Sequence, residues 1–355
     1  MNKNRILTLI TACICCFLLL SGCSSRNKSS EKITIVCTTF PQYDWVREII
    51  GQNTTQFETT LLLDSGIDLH SYQPTVEDIS KISSADIFIY TGGESDSWTE
   101  VVLKEATNKS MRTINMLETL GDAAKTEEMV DGMQESEHHH HDIEEPSEHE
   151  EHEEHEEHEE HEEHEEQEEH EEHAHEAEYD EHIWLSLKNA KLLVQAISDQ
   201  IVQADSAHAE SYTENTLHYL QKLEELDKQY EQMVSSAKYD TVLFGDRFPF
   251  RYLVDDYHLN YYAAFSGCSA DAEASFETIT FLAKKTDELN LHSILVLEKS
   301  NTKIAETIKQ NTKRKNQTIL SLNSIQSVDQ TDINNQFTYL KAMQENLDIL
   351  TKALN

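Results

Sequence analysis

The sequence predicts an α/β protein of two lobes, each a parallel sheet flanked by helices. A long rigid helix joins the lobes, and a disordered His/Glu-rich insert interrupts the chain. Three observations carry this expectation. β-rich runs alternate with helical periods before residue 126, the same alternation restarts after residue 237, and two long 3.6-residue periods lie between. Strands alternating with helices imply parallel sheets, because parallel neighbours need crossover connections that cover the sheet faces.

In the first lobe, Lys32 to Cys37 is β-rich and Tyr43 to Ile50 has helical spacing, closed by Gly51. Phe57 to Leu63 reads as a second strand. Val76 to Ser83 reads as a helix with Asp78 and Lys81 outward. Ala85 to Tyr90 is a buried-type strand ending at Gly92-Gly93, and Trp98 to Ala106 is helical. Past the insert, Leu185 to Ala204 places Leu187, Ala190, Leu193, Val194, Ile197 and Ile201 on one helical face. Ala207 to Val234 does the same with Tyr212, Leu217, Leu220, Leu223, Leu226 and Tyr230, and is long enough to span a small domain. The second alternation is Thr241–Phe244 strand, Phe250–Tyr257 helix, Asn260–Phe265 strand, Phe276–Asn290 helix, Ile294–Glu298 strand, Lys303–Asn311 helix and Thr318–Ser321 strand. A helix from Phe337 to Leu354 follows.

The N-terminus has the pattern of an export signal. Lys3 and Arg5 precede an apolar run from Ile6 to Leu20, which is shorter than the ~20 residues a membrane span needs. The run ends in Leu20-Ser21-Gly22-Cys23, which resembles a bacterial lipobox. Cys23 is then the lipidated first residue of the mature protein, held to the outer face of the cell membrane; a plain secretory signal is the alternative reading. Export leaves Cys37 and Cys268 as the remaining thiols, free either to pair or to serve a metal.

The formal charge of −39 is concentrated. Between Glu127 and Glu181 there are 29 acidic residues and no Lys or Arg, so the rest of the chain carries −10. No basic patch points to nucleic acid. The insert holds His138, His139, His140, His141, His149, His152, His155, His158, His161, His164, His170, His173 and His175, largely in a His-Glu-Glu repeat. Imidazole is the commonest transition-metal ligand, and Glu needs no histidine to be soluble, so the run reads as a weak, multi-site metal binder. A pH-responsive spacer is the competing reading. No His-Glu-x-x-His occurs, which argues against a metalloprotease.

Gly66-Ile67-Asp68-Leu69-His70-Ser71-Tyr72-Gln73-Pro74-Thr75 resembles the first metal-ligand segment of the zinc/manganese class of ABC-importer solute-binding lipoproteins. Ala85-Asp86-Ile87 and Gly92 to Trp98 are similar to that family's next strand and turn. Glu181-His182-Ile183-Trp184-Leu185, directly after a His-rich stretch, resembles its second ligand segment. The resemblance runs from about Lys32 to Leu354. It implies a metal held between two α/β lobes, with His70 and His182 as ligands, and passage of that metal to a membrane permease and its ATPase.

The second lobe departs from the family pattern. Arg247 stands where the resemblance places a third histidine, in Arg247-Phe248-Pro249-Phe250-Arg251-Tyr252, and Asn323 stands where it places an acid. Arginine stays charged and cannot ligate a cation. Candidate replacements are Cys268, Asp246 and Glu298. A Cys37–Cys268 disulfide is the competing assignment for the thiols, and an anion held by Arg247 and Arg251 is a third possibility.

The sequence thus leads to residues 1–22 as signal, 23–31 as lipidated cysteine and tether, 32–126 as first lobe and 127–180 as insert. Residues 181–206 return to the first lobe, 207–236 connect, and 237–355 form the second lobe. The expected function is extracytoplasmic Zn2+ binding for an ABC permease, with Mn2+ disfavoured by nitrogen and sulfur ligands. A surface adhesin is the competing function. The absence of a nucleophile–base pair argues against an enzyme.

Overall fold

The structure, a computed structural model, describes residues 32–134, 178–269 and 273–355. The expected export signal, Cys23 and the histidines from His138 to His175 lie outside the described residues.

The first lobe contains β1 (Ile33–Cys37), α1 (Phe40–Ile50), β2 (Phe57–Leu61), α2 (Val76–Ser84), β3 (Ile87–Tyr90), α3 (Thr99–Glu105), β4 (Arg112–Asn115) and α4 (Met116–Leu120). Its sheet order is β2-β1-β3-β4, all parallel, with Val36 opposite Thr60 on one side and Phe88 on the other. The central strands β1 and β3 are buried on both faces, which is why Ile35-Val36-Cys37 and Ile87-Phe88-Ile89 read as continuous apolar runs. β4 and α4 have no counterpart in the sequence reading. Only Ile114 of β4 is buried, so this edge strand lacks the apolar run that marks its neighbours.

Two helices, α5 (Leu187–Ala204) and α6 (Ala209–Ser236), follow the insert. Ser186 caps α5 by accepting the Asn189 backbone N–H at 2.9 Å. The 28 residues of α6 span about 42 Å at 1.5 Å per residue. Tyr212, Thr216, Tyr219, Leu223, Leu226, Tyr230 and Met233 form its buried stripe, while Leu217, expected on that stripe, is 56% exposed. Lys191 of α5 pairs with Asp227 of α6 at 2.9 Å, tying the two helices side by side.

The second lobe contains β5 (Thr241–Phe248), α7 (Arg251–Asp256), β6 (Asn260–Ser266), α8 (Phe276–Glu288), β7 (Ser293–Leu297), α9 (Lys303–Asn311) and β8 (Thr318–Leu322), with sheet order β6-β5-β7-β8, again all parallel. α10 (Gln330–Asn334) and α11 (Tyr339–Ala353) end the chain. The register of β5 against β6 shifts between Phe244 and Arg247. Gly245 sits at this irregularity because a side chain there would strike the backbone of Ala305, 2.7 Å from where its Cβ would lie. α11 bridges the two lobes, packing against α1, α6, β7 and β8. Tyr339 packs edge-on to Trp45 of α1 with ring centroids 5.1 Å apart, its N–H donates to Asp44 at 2.8 Å, and Met343 accepts from Tyr230 of α6 at 2.6 Å.

In both sheets the chain order reverses direction beside the first strand, at β1/β3 and β5/β7. In open α/β sheets, ligands bind outside the carboxyl ends of the strands at such reversals. Residues following β2, β3 and β6 meet there.

Candidate metal centre

His70 lies on a short 3-10 turn, Leu69–Ser71, after β2. Asp68 caps that turn, its Oδ1 accepting the His70 N–H at 3.1 Å. The ring is held by Ser95, from the loop after β3, whose Oγ is 2.8 Å from His70 Nδ1. Ser95 is itself anchored, its backbone N–H donating to Glu181 Oε1 at 2.8 Å.

His182 is fully buried just ahead of a 3-10 turn, Ile183–Leu185. Its backbone N–H and its ring Nδ1 both meet Asp180 Oδ1, each at 2.8 Å. A carboxylate can only accept, so Nδ1 carries a proton and Nε2 faces the site. This arrangement of carboxylate, imidazole and open Nε2 is the one by which metal-binding histidines are oriented. Asp180 is fixed in turn: its N–H donates to Lys125 O at 2.8 Å, and its carbonyl accepts from the Tyr252 hydroxyl at 2.9 Å.

The two Nε2 atoms are 3.2 Å apart. Two nitrogens at about 2.05 Å from one tetrahedral zinc would be ~3.3 Å apart, so the pair is already spaced for an ion. Cys268, following β6, completes a group whose ligand atoms all lie within 4.8 Å of one another. Gly267 allows that approach: a side chain there would press on His182 Cε1 and Phe248 O, each 3.0 Å from its Cβ. Two imidazole nitrogens and a sulfur are a donor set zinc accepts.

The electrostatics fit an ion-binding pair. Burial, and then the neighbouring His182, hold His70 down to about 4. Burial also opposes charge on His182, but Asp180 outweighs it and raises that ring above the ordinary histidine value. Burial, followed by the charge of Glu127, pushes the Cys268 thiol far above its usual range, so a metal must displace its proton. Glu181 Oε2 is enclosed without a hydrogen-bond partner, 3.6 Å from His70 Nδ1. A cavity of about 850 Å³ opens from the group, walled by Glu94, Glu127, Glu178 and Glu181, with no Lys or Arg among the described residues of its lining.

Three expected site residues therefore converge, and others do not. Asp246 is turned away by the irregularity in β5. Its Oδ1 accepts the Arg247 N–H at 2.9 Å and its Oδ2 the Leu297 N–H at 3.2 Å, lacing β5 to β7. Glu298 holds the loop after β8, accepting from Ser324 N at 2.8 Å and Ser324 Oγ at 2.6 Å. Neither joins the His70–His182–Cys268 group. The disulfide is corrected as well: both cysteines are free, and Cys37 is sealed in the first-lobe core. The anion reading loses its donors, since Arg247 pairs with Asp68 at 2.7 Å and Arg251 with Glu128. Sequence reasoning missed Asp180, Ser95 and Glu181. The first was visible as a carboxylate two residues ahead of His182; Ser95 and Glu181 meet only through the fold.

Comparison with known proteins identifies the family and the fold. The chain is 27% identical over 335 residues to zinc-binding lipoprotein AdcA of Streptococcus pneumoniae, covering 94% of this chain and 58% of that protein. It thus spans little more than half the length of that relative. It is 27% identical over 345 residues to the high-affinity zinc uptake system protein ZnuA of Bacillus subtilis, covering 96% of this chain and 95% of that one. The crystal structure of the Zn(II)-bound ZnuA-like domain of S. pneumoniae AdcA has the same fold, with a TM-score of 0.65 at 24% identity over 91% of this chain and 99% of that domain. Residues 35–353 match the ZnuA family, described as zinc-uptake complex component A, periplasmic, and the chain belongs to that family.

Proposed function

We propose that this protein is an exported Zn2+-binding component of an ABC importer that passes the ion to a permease and its ATPase. The observation that carries the reading is the His70–His182 pair, with Nε2 atoms 3.2 Å apart and Cys268 alongside. His70 and His182 bind through Nε2, and Cys268 binds after losing its proton. Zn2+ is the cargo, and no turnover is involved. Two nitrogens and a sulfur favour zinc over manganese, which prefers oxygen donors.

Lipidation at Cys23 tethers the protein to the outer face of the cell membrane, and the short leader before it fits export. The histidines from His138 to His175 hold zinc loosely and raise its concentration near the cavity. Glu127, Met129, Glu178 and Tyr179, at the two ends of the insert, line the cavity.

The test is growth and zinc uptake in zinc-poor medium by cells lacking this protein. Restoration by the parent chain, but not by His70→Ala or His182→Ala, is the expected result. Unimpaired zinc uptake in the deleted strain, with loss of surface attachment, would replace the importer reading with an adhesin.

A further inference from the structure

Arg247 occupies the position where the resemblance places a ligand, yet it is neither idle nor aimed at a bound anion. Its Nη2 donates to Asp68 Oδ2 at 2.7 Å. The other oxygen of Asp68 accepts the His70 N–H at 3.1 Å, so the residue that receives Arg247 also caps the turn that carries His70. On its other side, Arg247 Nη1 reaches the carbonyl of Ser269, the residue after Cys268, at 3.5 Å. The backbone of Arg247 is fixed too, through Asp246, to β7 of the second sheet. One guanidinium therefore joins the segment before His70 to the segment after Cys268.

These two segments belong to different lobes. His70 follows β2 of the first sheet, and His182 leads into α5, which packs on α1 and α4 of the first lobe. Cys268 follows β6 of the second sheet. Any separation of the lobes draws the sulfur away from the two imidazoles, leaving a two-nitrogen site from which an ion escapes readily. The Arg247–Asp68 pair crosses that gap and is shielded, with side chains 26% and 15% exposed. A fork of donors anchored on a carboxylate suits this task better than an ammonium does, because its geometry is set in advance. Other ties between the lobes, such as the bridge between Ser65 and Asp329, remain when it is lost. Its removal should loosen the cleft without undoing the fold.

We propose that Arg247 is a positioning residue, an inter-lobe brace that holds Cys268 over the His70–His182 pair and slows release of the ion. The inference rests on the zinc-binding reading. It assigns Arg247 a role in retention rather than ligation.

The experiment measures zinc release from the mature full chain into excess chelator by stopped flow, for the parent, Arg247→Met, Arg247→Lys, Asp68→Asn and the Arg247→Met/Asp68→Asn double variant. Cobalt(II) absorption reports the ligand set, and thermal melting reports folding. Release should quicken roughly tenfold in Arg247→Met, a size ordinary for coupling between two elements. Arg247→Lys should fall between parent and Met, Asp68→Asn should match Met, and the double variant should be no faster than either single change. The thiolate-to-cobalt band should persist in all of them. A release rate within twofold of the parent in Arg247→Met, additive effects in the double variant, or loss of the thiolate band would each overturn the brace. A parent chain that holds no slowly released zinc would instead overturn the zinc reading on which the brace rests.

Discussion

Replacing His182 with alanine should separate the metal's share of the site from the protein's own. The ring is fully buried, its Nδ1 bound to Asp180 at 2.8 Å and its face against the edge of Trp184 with centroids 5.7 Å apart. Two losses follow. The first is a ligand. Structural zinc sites with four ligands yield about 10–16 kcal/mol of apparent binding energy, so one ligand is worth roughly 3–4 kcal/mol, or a weakening of about 100- to 1,000-fold. The second is internal: Asp180 Oδ1 keeps its bond from the residue 182 N–H but loses the imidazole, at a cost of about 1–3 kcal/mol for a poorly satisfied buried acceptor, with a cavity beside Trp184 in addition. Competition titration against a zinc chelator reads the first loss, and urea unfolding of the metal-free protein reads the second. Asp180→Asn is the paired control. It leaves Nε2 in place but removes the charge that orients the ring, and second-layer partners of this kind are worth about 10–100-fold in affinity. Retention by His182→Ala of zinc affinity within tenfold of the parent would refute the assignment, because no other imidazole among the described residues shares the group with His70 and Cys268.

Three further outcomes are expected. Cys268→Ser should weaken zinc binding by about 100-fold or more and abolish the thiolate-to-cobalt charge-transfer band, whereas an unchanged cobalt spectrum would remove sulfur from the site. Zinc at 100 times its dissociation constant should stabilise the fold by about 2.7 kcal/mol in thermal melts and chelator should reverse this; a melting temperature indifferent to both would mean that the ion does not bind the folded cleft. Asp44 is buried under α11, and that burial pushes its carboxyl up to about 7 despite the bond from Tyr339 N–H. Between about pH 4 and pH 7 the unfolded chain gives up this proton while the folded chain keeps it, so stability falls as the pH rises through that window, by up to about 4 kcal/mol. Asp44→Asn should flatten that fall, and an identical pH profile in urea unfolding would show that Asp44 ionises normally.

The elements with strong periodicity or continuous apolar runs were legible in the sequence. β1, β3, β5 and β7 are central strands buried on both faces, and α5 and α6 carry long one-sided stripes. β4, α4 and α10 were not, because each is short and their few buried residues form no repeating pattern. The site divides in a similar way. His70 and His182 stand in segments whose neighbours mark them, and Cys268 stood out as one of two thiols left after export. Asp246 and Glu298 were equally plausible as text. What separates them from Cys268 is the shift in β5 between Phe244 and Arg247, which turns Asp246 onto Leu297, and the Ser324 loop that takes both oxygens of Glu298. A register shift and a loop closed by a hydrogen bond have no signature in residue order. Arg247 shows the converse: the sequence marked it as a lost ligand, and only the fold brought Asp68 opposite it.

The central claim is that the tight metal site is the cleft and that the histidine-rich insert is accessory. Calorimetric titration of zinc into the mature protein lacking residues 138–175, under reducing conditions and with manganese as competitor, tests it most directly. The account predicts one tight zinc site that survives the deletion, resists manganese and disappears in His70→Ala. Loss of all tight binding with the insert would contradict it and leave the His70–His182–Cys268 group without an ion to hold.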